Sequence, residues 1–370
     1  MARVPFVDLG SVHASLKDGI LAEIAEVIDS GAFVNGPAVD RFEAAFAAYC
    51  DLPRCIGVAS GLDALRLAML AGGIEPGDEV IAPAHTFVAT LEAISQAGGR
   101  PVLVDVGEAD ANVDPAAVEA AITPRTRFLL PVHLYGQLAD MAALGPIAAR
   151  HGLAIVEDAA QAHGASRDGH RPGVGTLAAA FSFYPAKNLG AFGDAGACVT
   201  ADERLAERVR ALREHGQSRR HEHDTIGYTA RLDTIQAVVL AHKLPLLDGW
   251  NAQRRAIARA YTHALSGVGD LRPPLPPEGS EPVWHLYVVR TAEPDRLAAR
   301  LSERGIETGR HYPRPVHLTG AYADLGYREG DFPVAEATAA EGLSLPVFPG
   351  ISEEQVAAVV EAVRGAFERR

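Results

Sequence analysis

The chain has little of what marks several large classes of protein. Only three of its 370 residues are cysteines, too few and too irregularly spaced for a disulfide framework, a zinc site or an iron–sulfur cluster. The N-terminus lacks the apolar stretch of a signal peptide, and no run reaches the roughly 20 apolar residues of a membrane span. We also find no internal repeat and no low-complexity tract. These absences predict a cytoplasmic globular protein with no metal site and no membrane contact.

Positive charge is also scarce. The formal net charge is −13 at pH 7, and no polybasic run interrupts the acidic balance. This composition argues against nucleic acids and anionic membranes as partners. A small anionic ligand remains compatible with it, because helix N-termini and single arginines can set the potential inside a cleft.

The sequence does show a regular alternation of short apolar runs and amphipathic segments. Seven apolar runs predict strands buried on both faces, at residues 55–59, 79–82, 101–105, 127–132, 154–156, 179–183 and 197–200. Helical patterns lie between or after them, at residues 61–71, 84–96, 139–150 and 202–214. This order predicts an α/β fold with a mostly parallel seven-stranded sheet flanked by helices.

The pattern changes after residue 200. Long helices are predicted at 231–247 and 250–265, a strand at 283–290, and helices at 293–303 and 352–367. Pro245 is expected to bend or end the first of these helices. We therefore predict a large α/β domain, residues 1–245, whose N-terminal arm includes one helix and a Gly36-Pro37 break. A smaller α+β domain would span residues 246–370.

Lys187 dominates the functional interpretation. It lies in Phe181-Ser-Phe-Tyr-Pro-Ala-Lys-Asn-Leu-Gly190, which runs into the glycine-rich Gly190-Ala-Phe-Gly-Asp-Ala-Gly196. An isolated lysine is usually a solvated surface charge, but apolar and glycine-rich flanks argue against that here. Asp158 follows strand 154–156, at the strand end where open α/β sheets bind ligands. An amine near such a carboxylate suits pyridoxal phosphate (PLP): the lysine forms a Schiff base with the aldehyde, and the carboxylate keeps the pyridine nitrogen protonated.

Other strand-to-helix turns could complete such a site. The Ser60-Gly61 turn could hold a phosphate with backbone N–H groups, and the hydroxyl of Ser182 could add to it. Phe87 follows another strand, where its ring could stack on a flat cofactor. Plainer interpretations stay open, since Asp158 and Ser60 could each simply cap a helix.

Two further motifs do not define sites. The glycines after Lys187 do not open a helix after an early strand, so we reject a dinucleotide-binding loop. The lack of such a loop after an early strand disfavours, as a third alternative, a nicotinamide oxidoreductase that acts on nucleotide sugars. His221-Glu-His223 lies in the polar stretch 217–224, which we interpret as a solvated loop and not as a metal cluster.

Many of these segments resemble one family nearly end to end. The matching segments are Ser60-Gly-Leu-Asp-Ala-Leu65, Gly77-Asp-Glu-Val-Ile-Ala-Pro83, Thr86-Phe-Val-Ala-Thr90, Pro131-Val-His-Leu-Tyr-Gly136, Glu157-Asp-Ala-Ala-Gln-Ala-His-Gly164, Phe183-Tyr-Pro-Ala-Lys187, Arg231-Leu-Asp233, Gln236-Ala237 and His311-Tyr-Pro313. In these segments the chain resembles the DegT/StrS-type sugar aminotransferases, a fold-type I PLP-dependent family that acts on keto sugars, usually attached to a nucleotide.

The resemblance implies a role for each matching residue. Lys187 would be the Schiff-base lysine and Asp158 the partner of the ring nitrogen. The family also forms homodimers with shared active sites. The remaining cofactor contacts that it implies are Gln161 at the ring hydroxyl, Phe87 stacked on the ring, and Ser60, Gly61, Leu62, Ser182 and the partner subunit's equivalent of Thr229 around the phosphate.

Two of these positions depart from the family pattern. Thr229 stands where members commonly have an asparagine that reaches across the dimer, and a threonine is shorter and lacks the amide donors. Leu62 stands where many members have a threonine, which leaves the phosphate one hydroxyl fewer. Neither position touches the reaction centre, so we expect catalysis to survive.

The resemblance also implies the reaction. A lysine where some relatives have histidine favours transamination over deoxygenation, with glutamate as the amino donor in a ping-pong sequence. The stretch 309–318 resembles the subgroup that aminates 3-keto-6-deoxyhexoses on thymidine diphosphate. The substrate-side candidates are His311, Tyr312, His317 and Tyr184. Packing of that loop, amination at the fourth carbon or of an inosose, and a non-catalytic PLP-binding regulator remain alternatives.

Overall fold

The computed structural model describes residues 3–368. Its strands are β1 (Arg54–Val58), β2 (Glu79–Pro83), β3 (Arg100–Val104), β4 (Thr126–Leu129), β5 (Ala154–Asp158), β6 (Ser166–Arg167), β7 (Ala178–Ser182), β8 (Gly196–Thr200), β9 (Gln217–Arg219), β10 (Glu222–His223), β11 (Ser280–Glu281), β12 (Tyr287–Arg290) and β13 (Gly342–Leu345).

Helices alternate with these strands. They are α1 (Leu9–His13), α2 (Lys17–Ser30), α3 (Pro37–Tyr49), α4 (Gly61–Ala71), α5 (Ala89–Gln96), α6 (Pro115–Ala121), α7 (Met141–His151), α8 (Glu203–Arg213), α9 (Thr234–Lys243), α10 (Leu247–Leu265), α11 (Pro294–Glu303), α12 (Pro333–Glu341) and α13 (Glu353–Glu368). Short 3-10 turns cover Leu134–Gly136, Leu244–Leu246, Val316–Leu318 and Gly320–Leu325. None of the helices in residues 3–368 is both long and apolar enough to cross a membrane.

A seven-stranded sheet in the order β1-β8-β7-β5-β4-β2-β3 forms the centre of the fold. Only β8 runs against its neighbours, β1 and β7, so the sheet is mostly parallel. The predicted fold class is confirmed, and most strand ends lie within two residues of the prediction. β4 stops at Leu129, three residues early, because Pro131 has no N–H for the ladder.

Both faces of the sheet are buried, which explains the continuous apolar runs. In β7, Ala178 and Ala180 belong to one apolar cluster, with α4, α5 and α8. Ala179 and Phe181 point the other way, into a cluster with Phe42 of α3 and with α9. Successive strand residues point to opposite faces, so the middle positions of such a strand are apolar on both sides.

Several elements differ from the sequence-based expectation. The N-terminal arm has two helices, α1 and α2, and α3 starts at Pro37, where proline suits the first helical position. The helix expected at 84–96 begins only at Ala89, because the preceding turn buries His85 and Thr86. Pro245 ends α9 as predicted, through a 3-10 turn. The expected solvated loop at 217–224 contains the short β9–β10 pair, whose residues are mostly exposed.

A third apolar cluster joins α10, α11, α13, β12 and β13. Val4 of the N-terminal segment is buried in it, beside Ile306. Val316, Tyr322 and Phe332 instead pack on the central sheet. We propose from this that the predicted smaller domain, residues 246–370, has a core of its own while one of its segments lies against the larger unit.

Candidate active site

The carboxyl ends of β5 and β7 place the first two site residues. β5 ends at Asp158 and β7, its neighbour, ends at Ser182. Beyond Ser182 the chain forms a loop, residues 183–195, closed by a hydrogen bond from Phe183 N to Ala195 O of 2.8 Å. We call this segment the lysine loop, since Lys187 lies at its centre.

Asp158 is buried, with 6% of its surface exposed. Its Oδ2 accepts a hydrogen bond from Thr90 Oγ1 at 2.9 Å, and its Oδ1 accepts one from Ala160 N at 3.2 Å. Burial raises the pKa of this carboxyl, against the opposing effects of the two donors and of Lys187. These hydrogen bonds fix the orientation of the Asp158 side chain, and its carboxylate could stabilise a cation next to it.

Glu157, one residue earlier, points to the opposite side of the sheet. Its oxygens accept hydrogen bonds from His133 at 2.7 Å, His170 at 2.9 Å, Gly173 N at 2.7 Å and Thr176 at 2.6 Å. Burial alone would raise the pKa of this carboxyl, but the histidine hydrogen bonds lower it to about 2. Glu157 is therefore a satisfied structural anion, which leaves Asp158 as the carboxylate of the site.

Lys187 is largely buried, and no hydrogen bond to its amine is found within residues 3–368. Its backbone N donates to Tyr184 O at 2.8 Å, which forms a turn of the lysine loop. Burial lowers the pKa of the amine to about 8, and attraction to Asp158 limits the shift. Such an amine is partly neutral near physiological pH, as a nucleophile must be.

Three histidines are close enough to this amine for its charge to affect their pKa values. Burial and the charge of Lys187 lower the pKa of His163 to about 3, that of His311 to about 4, and that of His285 well below its usual range. These imidazoles are therefore neutral next to a group that carries the local positive charge. His163 and His285 are absent from the sequence-predicted set.

The start of α4 forms a tight cradle beside Ser182. A Cβ on Gly61 would lie 2.7 Å from the Cβ of Ser182, and one on Gly196 would lie 2.3 Å from the carbonyl carbon of Ser60. Only glycine fits at these two positions. Ser60 caps the helix by accepting from Asp63 N at 3.0 Å, and the N–H groups of residues 61 and 62 have no i−4 carbonyl inside the helix. This is the geometry that binds a phosphate.

Aromatic side chains form the opposite wall. The ring of Phe87, half exposed, lies 5.4 Å from that of Tyr312. Gln161 Nε2 donates to Tyr312 Oη at 3.2 Å, and its Oε1 accepts from Tyr135 N at 2.6 Å. Burial and the charge of Asp158 raise the pKa of Tyr312, so this phenol stays protonated and close to the carboxylate.

Tyr135 connects this wall to His311. Its hydroxyl donates to His311 O at 2.5 Å and accepts from His85 Nε2 at 2.8 Å. Its φ of 62° is rare for a bulky residue, and such strain concentrates at functional sites. His311 Nδ1 bonds Ser344 Oγ at 2.8 Å, and its ring stacks on Phe6. His85, Thr90 and Tyr135 join the site without having been predicted.

The structure does not bring every predicted residue to this group. His317 is buried in packing, with Nε2 3.1 Å from Glu336 Oε1 and its ring against Phe332. Thr229 is exposed, with Oγ1 3.2 Å from His215 Nε2. Leu62 packs on the core and offers the cradle only its backbone N–H. Tyr184 is an exposed residue of the lysine loop, with its N donating to Ser182 Oγ at 3.3 Å.

The residues present fit PLP. A largely buried amine, a buried carboxylate and a glycine-lined phosphate cradle meet at the carboxyl edge of a mostly parallel sheet, and an aromatic wall faces them. This combination defines the class of fold-type I PLP-dependent enzymes.

The chain belongs to the DegT/DnrJ/EryC1/StrS aminotransferase family, whose sequence pattern matches residues 14–364. It is 51% identical over 367 residues to the dTDP-3-amino-3,4,6-trideoxy-alpha-D-glucose transaminase of Streptomyces venezuelae, covering 99% of this chain and 97% of that protein. It is 50% identical over 361 residues to the erythromycin biosynthesis sensory transduction protein EryC1 of Saccharopolyspora erythraea, covering 98% and 99%.

A solved structure of S. venezuelae DesV in complex with a ketimine intermediate matches with a TM-score of 0.98 at 51% identity, and all of both chains is covered. These matches confirm the family, the fold and the class of enzyme that the sequence predicted.

Proposed function

We propose that the protein is a PLP-dependent sugar aminotransferase that transfers the amino group of glutamate to a nucleotide-linked 3-keto-6-deoxyhexose, with thymidine diphosphate as the nucleotide. The observation that carries the proposal is the placement of Lys187 and Asp158 at one sheet edge, Asp158 at the end of β5 and Lys187 in the loop that follows the neighbouring β7. The transaminase relative of S. venezuelae, named for a dTDP-3-amino sugar, supports the substrate class. A cytoplasmic location is part of the same proposal.

Different residues would bind the phosphate, the ring and the ring hydroxyl of PLP. The N–H groups of residues 61 and 62 and the hydroxyl of Ser182 would bind the phosphate. The hydroxyl of Ser60 donates to Asp63 Oδ2 at 3.0 Å and would turn from that carboxylate to the phosphate. Phe87 would cover the ring. Both ends of the Gln161 amide already have partners, but an amide nitrogen has two hydrogens. The second hydrogen is available for the ring hydroxyl.

PLP, when bound, supplies an aldehyde carbon for the amine of Lys187 and a ring that accepts electrons. Asp158 would hold the proton of the ring nitrogen, because a buried carboxylate stabilises a cation next to it. After glutamate displaces Lys187, the Nζ of Lys187 would carry a proton away from the α-carbon of glutamate. The same Nζ would later deliver a proton to the sugar carbon. A pKa of about 8 suits an amine that gains and loses a proton near neutral pH.

A homodimer is part of this proposal. Leu21 and Ile28, seven residues apart on α2, are 53% and 58% exposed, and Phe33 and Val34 are about half exposed. Exposed large apolar side chains grouped along one helix and the segment after it are typical of an interface. This group continues to the segment that carries Thr229, because Thr234 N donates to Phe33 O at 3.1 Å. Thr229 would reach the phosphate of the partner's site from there.

The identity of the keto sugar is the most specific part of the proposal. Tyr184, His311 and Tyr312 remain the substrate-side candidates, whereas the contacts of His317 give it a packing role. Incubation with glutamate and either the 3-keto or the 4-keto isomer, followed by mass spectrometry, distinguishes the alternatives. Amination of only the 4-keto sugar, or of an inosose instead, would overturn the substrate assignment.

A regulatory protein that binds PLP without turnover is the second candidate, and the name of the EryC1 relative favours it. Glutamate half-turnover separates the two. PLP joined to a lysine absorbs visible light. Glutamate added to the PLP-loaded protein should bleach this visible band and release one equivalent of 2-oxoglutarate. Lys187→Ala should lose both signals, and Lys17→Ala, at an exposed lysine, should keep both. A stable visible band with no keto acid would instead support the regulator.

A further inference from the structure

Lys243, the last residue of α9, has a buried amine that the proposed reaction does not use, and burial lowers the pKa of that amine to about 8. Its side chain is 2% exposed, and no carboxylate pairs with it in residues 3–368. Its Nζ donates to Gly190 O and to His13 Nε2, the latter at 3.0 Å, and lies 5.7 Å and 5.9 Å from the ring centroids of Phe192 and Trp250. A cation buried without an anion costs folding free energy that an apolar side chain would not.

The acceptor of this cation belongs to the lysine loop. Gly190 follows Lys187 by three residues, and a Cβ at Gly190 would lie 2.2 Å from Pro185 O. The loop therefore doubles back so closely that Gly190 touches the backbone on the other side of Lys187. Holding the Gly190 carbonyl fixes both ends of the short turn that presents the Lys187 amine.

A second side chain of α9 binds the same loop. Gln236 Oε1 accepts a hydrogen bond from Phe192 N at 2.8 Å. Gln236 and Lys243 are two helical turns apart and share one face of α9. One helix thus binds a carbonyl and an N–H of the loop that lie two residues apart, with its own packing against α2 and α3 as the support.

We propose that Lys243 and Gln236 are positioning residues that hold the lysine loop so that the Lys187 amine stays aligned with Asp158 and the phosphate cradle. His13 extends the arrangement to the N-terminal arm, because it accepts from Lys243 and its ring meets Phe192 edge-on at 4.7 Å. This inference rests on the proposed function, since it assigns Lys187 the role of holding PLP.

The test uses the full-length protein with three substitutions. Lys243→Met keeps the length of the side chain without its donors, and Gln236→Leu keeps the shape of the amide without its acceptor. His242→Gln is the matched control, because His242 is also on α9 but bonds Glu23 of α2 at 2.9 Å. For each protein one measures the Kd for PLP, the pH midpoint of the visible absorbance of the loaded protein, and the Tm of the cofactor-free protein.

We expect Lys243→Met and Gln236→Leu each to raise the Kd for PLP by about tenfold or more, because small misplacements of a reacting group are costly. Each should also shift the absorbance midpoint, while His242→Gln changes neither. The double variant should lose less than the product of the single losses, since both residues hold one loop.

Lower Tm values together with an unchanged Kd and an unchanged midpoint would overturn the positioning role and leave a purely structural one. Gln236→Leu carries this comparison by itself if Lys243→Met does not fold, because Gln236 is only half-buried. A wild-type protein with no visible band in PLP would overturn the proposed function, and with it this inference. The two failures are therefore distinguishable.

Discussion

The acidity of the Lys187 amine gives the most quantitative prediction. Its pKa is about 8, against 10.5 for an unperturbed lysine. The protein therefore disfavours the charged form of the amine, relative to the neutral form, by about 3 kcal/mol. At pH 7.5 about a quarter of the amine is then neutral, against about 0.1% for an ordinary lysine. Lys187 of the cofactor-free protein should therefore condense with an aldehyde roughly two hundred times faster than an exposed lysine of equal intrinsic reactivity.

The assay mixes cofactor-free protein with PLP between pH 6.5 and 9.5, reduces the adduct with borohydride and maps the labelled peptides. The chain has only three lysines, Lys17, Lys187 and Lys243, so each site is counted separately and the exposed Lys17 is an internal reference. Labelling of Lys187 should rise with a midpoint near pH 8.

The Asp158→Asn variant tests the cause of this acidity. The carboxylate favours the ammonium form, so its removal should move the midpoint of Lys187 labelling to lower pH. Glu157→Gln, at the neighbouring position on the other side of the sheet, should leave that midpoint unchanged. A midpoint near 10, or one that Asp158→Asn does not move, would refute the pairing.

Three further changes have defined outcomes. Asp158→Ala should lower kcat with glutamate and a keto sugar by about 10³-fold or more, because an unprotonated pyridine accepts electrons poorly; near-normal rates would assign the ring to another carboxylate. Glu157→Gln should destabilise the protein by up to about 3 kcal/mol at pH 6, and less as pH falls from about 4.5 towards 2, because the folded-state pKa lies below the unfolded one; equal losses in urea unfolding at pH 6 and pH 3 would contradict this. Ile28→Asp should convert the proposed dimer to a monomer in light scattering, and an unchanged mass would exclude α2 from the proposed interface.

The local part of the fold was predictable from the sequence. Strands buried on both faces are almost entirely apolar except near their ends, so the seven apolar runs and the helices between them stand out. Lys187 and Asp158 were recognisable because Asp158 lies at the end of one such strand and Lys187 lies in the loop that follows another. Boundaries failed where a tertiary contact decided them, as at the turn that buries His85 and delays α5 to Ala89.

The rest of the site depends on contacts between residues distant in sequence. Thr90 orients Asp158 from the first turn of α5, and burial together with the charge of Lys187 lowers the pKa of His285, almost a hundred residues further along the chain. No spacing in the sequence encodes such a meeting. His317 shows the converse error. It lies in the loop that resembles a substrate-binding segment, yet its ring is hydrogen-bonded to Glu336 and packs against Phe332. Tyr135 could have been suspected, since its segment follows β4, but its left-handed backbone has no sequence signature.

One particular amine, that of Lys187, would hold the cofactor. Borohydride reduction of the PLP-loaded protein, followed by digestion and mass spectrometry, tests this assignment most directly, because only Lys17, Lys187, Lys243 and the N-terminal amine could carry the label. We predict one phosphopyridoxyl group per chain, located on Lys187. A label on Lys243 or Lys17, or an unlabelled Lys187 in protein that shows the visible band, would contradict the account.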